Sequence, residues 1–313
     1  MMQNDYPIQL NDRIYLIDGY DLGVAERTGT YVILEEEITI VETGPSPSVK
    51  HVKAGLEALG LTLDQVKYII VTHIHLDHAG GAGLLMRECP KAKVVVHPKG
   101  ARHLTNPERL VAGAKAVYGE KFSKLFDPVI PIQEELLLVK NDGDTLKIGP
   151  NCMLEFLDTP GHAKHHFSIY DPVSNGVFTG DTVGVRYEQL ISEGVHLFLP
   201  STSPNQFDPE AMQRAIDRIR DMNVNYIYYG HFGMTDIPEK ALNQVSNWLP
   251  IFLEEARNIV TEQKGYEELA LKLLSIVRSH LRVENIPDDH EAYNLIQLDM
   301  EVSAMGIIDY LSK

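Results

Sequence analysis

Positive charge is scarce in this 313-residue chain. Lys and Arg together number 28 against 44 Asp and Glu, a formal net charge of -16. A nucleic-acid or anionic-membrane surface needs clustered Lys and Arg, so the expectation is no nucleic acid and no membrane among the partners. Cysteine is scarce too. Cys89 and Cys152 stand far apart, which rules out a disulfide framework and a cysteine-based zinc site and points to a reduced compartment. Cys152, near the start of an apolar run, reads as core. Long hydrophobic runs are missing: no window approaches the roughly 18 apolar residues of a membrane span. The stretch from Met1 to Pro7 is polar and lacks the basic start and apolar segment of a signal peptide. The localisation these absences predict is cytoplasmic.

What is present is a mixture of strand and helix signals. Short β-rich runs occur at 13–17, 31–34 and 38–41, with turn residues between them. Val49, Val52, Leu56 and Leu59 repeat at helical spacing within 46–59. A strand over 66–71 and another at 94–96 flank a Gly-rich stretch and a short helix. Residues 99–130 break the rhythm. Asn106-Pro107 looks like a helix start, and Leu110, Ala114, Val117, Phe122, Leu125 and Phe126 form a helical stripe. This predicts a helical insertion, either a lid or a packing excursion. Strands resume at 135–139, 145–148, 152–157, 167–171 and 176–179, followed by a helix over 209–221 and a strand over 226–229. After Pro238 three apolar stripes follow one another, through Leu242 to Ile259, Leu269 to Leu281 and Leu295 to Ile308. They predict three amphipathic helices packed on the main domain, whose apolar faces could instead serve a homodimer.

The densest chemistry is Thr72-His73-Ile74-His75-Leu76-Asp77-His78, directly after the apolar run 66–71. On extended backbone, side chains two apart point the same way, so His73 and His75 can reach one ion. Asp77 and His78 follow at the turn and can reach a second. A carboxylate among imidazoles suits zinc or iron better than calcium, which takes oxygen ligands. Three further groups end strands next to a Gly: His162 in Thr159-Pro160-Gly161-His162, Asp181 in Thr179-Gly180-Asp181, and His231 in Tyr229-Gly230-His231. Each alone is a common turn. Together they add up to five histidines and two aspartates at strand ends.

In this order the motifs resemble those of the metallo-β-lactamase-fold hydrolase superfamily, over roughly residues 8–237. The resemblance implies an α+β fold, a four-layer αββα sandwich with a C-terminal helical extension: a catalytic domain over 1–237 and a helical region over 238–313. It implies that His73, His75 and His162 hold a first ion, that Asp77, His78 and His231 hold a second, and that Asp181 bridges them. The cofactors would be two divalent metal ions, zinc before iron or manganese. Two such ions can share one water and lower its pKa toward neutrality, and the hydroxide then attacks a carbonyl. Asp77 and Asp181 are the catalytic candidates, Asp77 orienting the hydroxide or taking its proton.

The seven-ligand set resembles glyoxalase II enzymes, acyl-homoserine lactonases and related thioesterases, so the expected reaction is hydrolysis of an ester, thioester or lactone in a small acyl substrate. Glu42 stands where the family usually has a supporting Asp, and His166 matches a second family histidine; both are expected behind the ligands. His165 stands where Gly is common. The lactonases' Tyr, three residues after the bridging Asp, is here Gly184. Tyr20, Tyr187 and His196 are therefore the candidates for substrate contact. Two rival readings remain at this point: a mononuclear iron persulfide dioxygenase, and a metal-binding sensor without catalysis.

Overall fold

The computed structural model describes residues 6–313. They group into two compact units. The first is the chain up to Asp158 with His165–Gly180 and Asn225–Met234; the second is Thr159–Lys164, Asp181–Val224 and Thr235–Lys313.

The first unit is built on two sheets. One has seven strands in chain order: β1 (Ile8–Gln9), β2 (Ile14–Asp18), β3 (Gly29–Ile33), β4 (Ile38–Val41), β5 (Val66–Ile70), β6 (Lys93–Val96) and β7 (Leu137–Val139). Pairing is antiparallel up to β4 and parallel from β4 to β7. The switch follows from the connections. Short turns join β1 to β2 and β3 to β4, and a longer loop joins β2 to β3, whereas parallel neighbours need crossovers. Those are α1 (Val49–Ala58), then α2 (Leu76–Ala79) with α3 (Ala82–Met86), then α4 (Pro98–Thr105), α5 (Glu108–Tyr118) and α6 (Phe122–Phe126).

The other sheet begins with β8 (Thr145–Lys147), β9 (Met153–Asp158), β10 (Phe167–Asp171) and β11 (Gly176–Gly180). Two short strands of the second unit follow in the chain, β12 (Val185–Arg186) and β13 (Phe198–Leu199). The sheet is then completed by β14 (Tyr226–Tyr229), parallel to β11, and β15 (Met234–Thr235).

Strand alternation builds two cores. Ile14, Leu16, Tyr31, Ile33, Val41, Ile70 and Val95 face the second sheet and meet Phe156, Phe167, Ile169, Phe178 and Tyr228. Their neighbours in sequence, Ile17, Val32, Ile40, Ile69, Val94 and Val96, point the other way onto Val52 and Leu56 of α1 and Leu85 of α3. A strand buried on both faces must be apolar at consecutive positions, which is why β4, β5 and β6 end on Ile40-Val41, Ile69-Ile70 and Val94-Val95-Val96. Each such side chain contributes roughly 1.5–3 kcal/mol by leaving water. Cys89 and Cys152 are buried in these cores.

The helical insertion is anchored more lightly. Phe122 and Phe126 bury against Leu76, while no residue of α5 is fully buried. Pro107 is the N-cap of α5 rather than its first helical residue, and the helix starts at Glu108.

The second unit contains α7 (Pro209–Asp221), α8 (Pro238–Thr261), α9 (Tyr266–Val283) and α10 (Ala292–Leu311). Asp208 caps α7 by accepting from the Ala211 amide at 2.9 Å, with Pro209 at the first helical position. The stripe read on α8, Leu242, Val245, Leu249, Phe252, Ala256 and Ile259, is buried throughout. On α10 the fully buried line is Ile296, Met300, Ala304 and Ile307, and most of the stripe read from sequence is only half-buried. That helix is apolar around much of its circumference, so its periodicity did not fix its phase. Side-chain hydrogen bonds join these helices to the loops after Asp181. Tyr187 Oη donates to Asp299 Oδ2 at 3.0 Å, Thr202 Oγ1 to Ser303 O at 2.7 Å, and Gln244 holds both His196 O and the Phe198 amide. Among the described residues, no helix is long and apolar enough to cross a membrane.

Candidate metal centre

β5 ends at Ile70, the chain bends at Thr72 and His73, and His75 is extended, with φ and ψ of -60° and 148°. His73 and His75 project together, with His73 Nε2 and His75 Nδ1 3.0 Å apart. The chain then turns into α2, which carries Asp77 and His78. His78 Nε2 lies 3.6 Å from Asp77 Oδ2, and His231 Nε2, from the turn after β14, lies 3.8 Å from the same oxygen. One ligand atom from each of these three residues falls within 4.8 Å of the others. Ligand bonds of about 2.1 Å in a tetrahedral site put donor atoms about 3.4 Å apart. The separations at Asp77 thus fit three corners around one cation, and the two-nitrogen, one-carboxylate donor set is chemically right for a transition metal or zinc.

The surroundings hold these side chains rigidly. Thr72 Oγ1 lies 3.0 Å from His73 Nδ1. Glu42 Oε1 accepts from the Thr72 amide at 3.1 Å, and Glu42 Oε2 is 3.4 Å from His78 Nδ1. Glu42 is buried and sits at φ 66°, a left-handed conformation rare outside glycine. Tyr31 Oη lies 2.7 and 2.6 Å from the carbonyls of Tyr229 and Gly233, straddling the His231 turn. Having one proton, it donates to one of them at a time. The His166 ring is 5.0 Å from that of His73, and His165 stacks nearly parallel to His73 at 6.2 Å. Gly180 ends β11 at φ 48°, where a Cβ would stand 2.4 Å from Thr72 Oγ1 and 2.6 Å from His166 Nε2.

The second unit holds the other two expected ligands. His162 Nε2 is 3.5 Å from Asp181 Oδ2. His162 Nδ1 lies 3.0 Å from Ser201 O, a carbonyl that can only accept, so Nδ1 carries the proton and Nε2 keeps its lone pair for a metal. Ser201 Oγ also donates to Asp181 Oδ2 at 3.1 Å. Gly161 is forced by close approach: at φ 138°, a Cβ would sit 2.3 Å from the Met212 backbone.

Of the three residues expected at the substrate, Tyr20 packs its ring 4.7 Å from that of His51. Tyr187 is buried with its hydroxyl on Asp299. His196 lines a cavity of about 280 Å³ with Lys240, Trp248 and His280, and none of the seven expected ligands lines it. Sequence reasoning missed Ser201, which bonds both His162 and Asp181. It stands in no motif; only the fold brings it to them.

A family profile described as "Metallo-beta-lactamase superfamily" matches residues 26–231. The protein ST1585 of Sulfurisphaera tokodaii, described as metallo-beta-lactamase fold-containing, is 25% identical over 221 residues, 69% of this chain and 77% of its own. A hydroxyacylglutathione hydrolase of Hahella chejuensis is 28% identical over 167 residues, 52% of this chain and 47% of its own. The crystal structure of a metallo-beta-lactamase family protein from Thermus thermophilus superposes with a TM-score of 0.68 at 21% identity, covering 97% of this chain and 94% of that one.

Proposed function

The chain belongs to the metallo-beta-lactamase superfamily, and from that premise we propose that it is a dinuclear metallohydrolase of small esters, thioesters or lactones. The observation that carries the proposal is the Asp77, His78 and His231 cluster, whose separations fit one cation. The first ion would take His73, His75 and His162, and Asp181 would bridge. Chain continuity supports this set. Asp181 directly follows Gly180, which is pressed against Thr72 and His166. His162 is three residues from His165, at most about 11 Å between Cα atoms at full extension, and His165 stacks on His73.

Bound ions would supply Lewis-acid activation of water and of the substrate carbonyl. The protein's own contribution is orientation. Ser201 O fixes the proton on His162 Nδ1, and Ser201 Oγ holds Asp181. Asp77 is 23% exposed and Asp181 only 3%, so Asp77 is the carboxylate able to take a proton from an attacking water. The kinship with a protein named as a hydrolase of hydroxyacylglutathione supports an acyl substrate.

The test is metal content of the purified protein, measured beside a panel of thioester, lactone and ester substrates with and without chelator. Two ions per chain with chelator-sensitive acyl hydrolysis is the expected result. A single iron with persulfide oxidation and no hydrolysis, or metal with no turnover of any kind, overturns it.

A further inference from the structure

The loop from β2 to β3 has an unusual backbone. Tyr20, Leu22 and Glu26 all lie at positive φ, 46°, 56° and 58°. Such conformations disfavour any residue with a Cβ, and they persist where surrounding structure over-determines them, commonly at functional sites. Asp18 holds the first and the last of them. Its Oδ1 accepts from the Tyr20 amide at 2.9 Å and its Oδ2 from the Glu26 amide at 2.8 Å.

The result is a buried carboxylate. Asp21, between two left-handed residues, is 2% exposed. Its ion-pair partner Arg27, also buried, approaches only to 3.5 Å, Nε to Oδ2. The Oδ1 oxygen is buried and accepts no hydrogen bond. A charge taken from water is tolerated only when it is well paired and hydrogen-bonded; Asp21 has one ion pair at 3.5 Å and a backbone hydrogen bond from Leu22, and its Oδ1 oxygen is left over.

The loop leads on to the metal centre. At the exit of the loop, the Gly29 amide donates to Gly230 O at 3.2 Å, one residue before His231. A Cβ on Gly29 would stand 3.4 Å from Phe232, one residue after it. Burial pushes the Asp21 carboxyl up to about 6; Arg27 pulls it down, Asp77 pushes it up and His231 pulls it down. A dication held by Asp77, His78 and His231 would be the largest charge in that neighbourhood and would add to the positive field of Arg27 on Asp21.

We propose that Asp21, locked by the Asp18-bonded loop and paired loosely with Arg27, is a positioning residue that strengthens binding of the ion at Asp77, His78 and His231. This rests on the dinuclear reading above. It assigns Asp21 no contact with substrate.

The test is a stepwise zinc titration of chelator-stripped protein, wild type against Asp21→Asn, with cobalt(II) substitution to follow each site by its visible absorbance. The wild type is expected to bind two ions. Asp21→Asn should weaken one of them about 10-fold or more, the scale of outer-sphere effects on metal sites, and leave the other within about 2-fold by the same scale. A cobalt band lost by Asp21→Asn should be the one also lost by His231→Ala. Two ions in the wild type and equal binding by Asp21→Asn would overturn the role of Asp21 and leave the dinuclear reading standing. Fewer than two ions in the wild type would overturn both. If Asp21→Asn misfolds because the Arg27 charge is left behind, Asp21→Asn/Arg27→Gln removes both charges: selective loss of one ion supports the proposal, and equal loss of both refutes it.

Discussion

Glu42→Gln is the sharpest test of how the ligand loop is held. Two donors face the Glu42 carboxylate, the Thr72 amide at 3.1 Å from Oε1 and His78 Nδ1 at 3.4 Å from Oε2. If His78 uses Nε2, the atom 3.6 Å from Asp77, to bind metal, its proton sits on Nδ1 and needs an acceptor. A carboxylate offers two oxygens, whereas a glutamine amide of the same size offers one. Either orientation of that amide therefore sets an NH₂ against an N–H. A hydrogen bond to a charged group is worth about 1.5–3 kcal/mol. The 3.4 Å contact is long, so the lower end applies, about 1.5–2 kcal/mol, or roughly a 10-fold to 30-fold loss in affinity at the His78 ion. Calorimetric zinc titration reads this directly, and chemical denaturation of the metal-free protein separates it from a loss of fold. Glu42→Asp is expected to do as badly, because a side chain one methylene shorter cannot span both donors. Equal zinc affinity in wild type and Glu42→Gln would show that the carboxylate does not support His78.

Gly180→Ala should be strongly destabilising, because its Cβ would meet Thr72 Oγ1 and His166 Nε2 inside 3.0 Å at a positive φ. A loss of at least about 2 kcal/mol is expected from overpacking and strain together, and a midpoint of denaturation within error of the wild type would refute it. The cysteines carry a pH prediction. Burial pushes both the Cys89 and Cys152 thiols up to about 12 from an ordinary value of 9.0. Above pH 9 the unfolded chain loses thiol protons that the folded chain keeps, so the unfolded state binds fewer protons and stability falls as pH rises. Denaturation midpoints should therefore drop between about pH 9 and 11, with a smaller drop in Cys89→Ala/Cys152→Ala measured against its own value at pH 8. Both thiols should resist a disulfide reagent at pH 8 until the chain unfolds, and immediate reaction of either in the native protein would contradict the burial argument.

What could be read ahead of the structure follows from how local each signal is. β10, α7 and β14 lie where the sequence predicts them, residue for residue, because each is bounded by residues that fix its ends: Asp208-Pro209 opens α7, and Asn225 precedes β14. The His-x-His pair was legible because two histidines two apart, just after the end of an apolar strand, need no knowledge of the rest of the chain. β12 and β13 were not legible. Each is two residues long, and Gln244 of α8, far along the chain, holds the segment containing β13 in place.

The same distinction separates the residues expected in the site from those that support it. A metal ligand announces itself by type and spacing, since His and Asp at strand ends are uncommon in combination. The groups that orient ligands are ordinary residues made important by tertiary contacts alone. Ser201 lies in a Ser-Thr-Ser-Pro stretch that reads as a loop, and its role appears only when His162 Nδ1 arrives at its carbonyl. Glu42 shows the intermediate case. From the sequence, its extra methylene is a departure from the usual Asp and a reason to doubt ligand orientation. In the fold, the left-handed turn at φ 66° and the longer arm act together: the side chain reaches the Thr72 amide with one oxygen and approaches His78 with the other. The length of this side chain and the left-handed backbone that carries it thus have to be interpreted together.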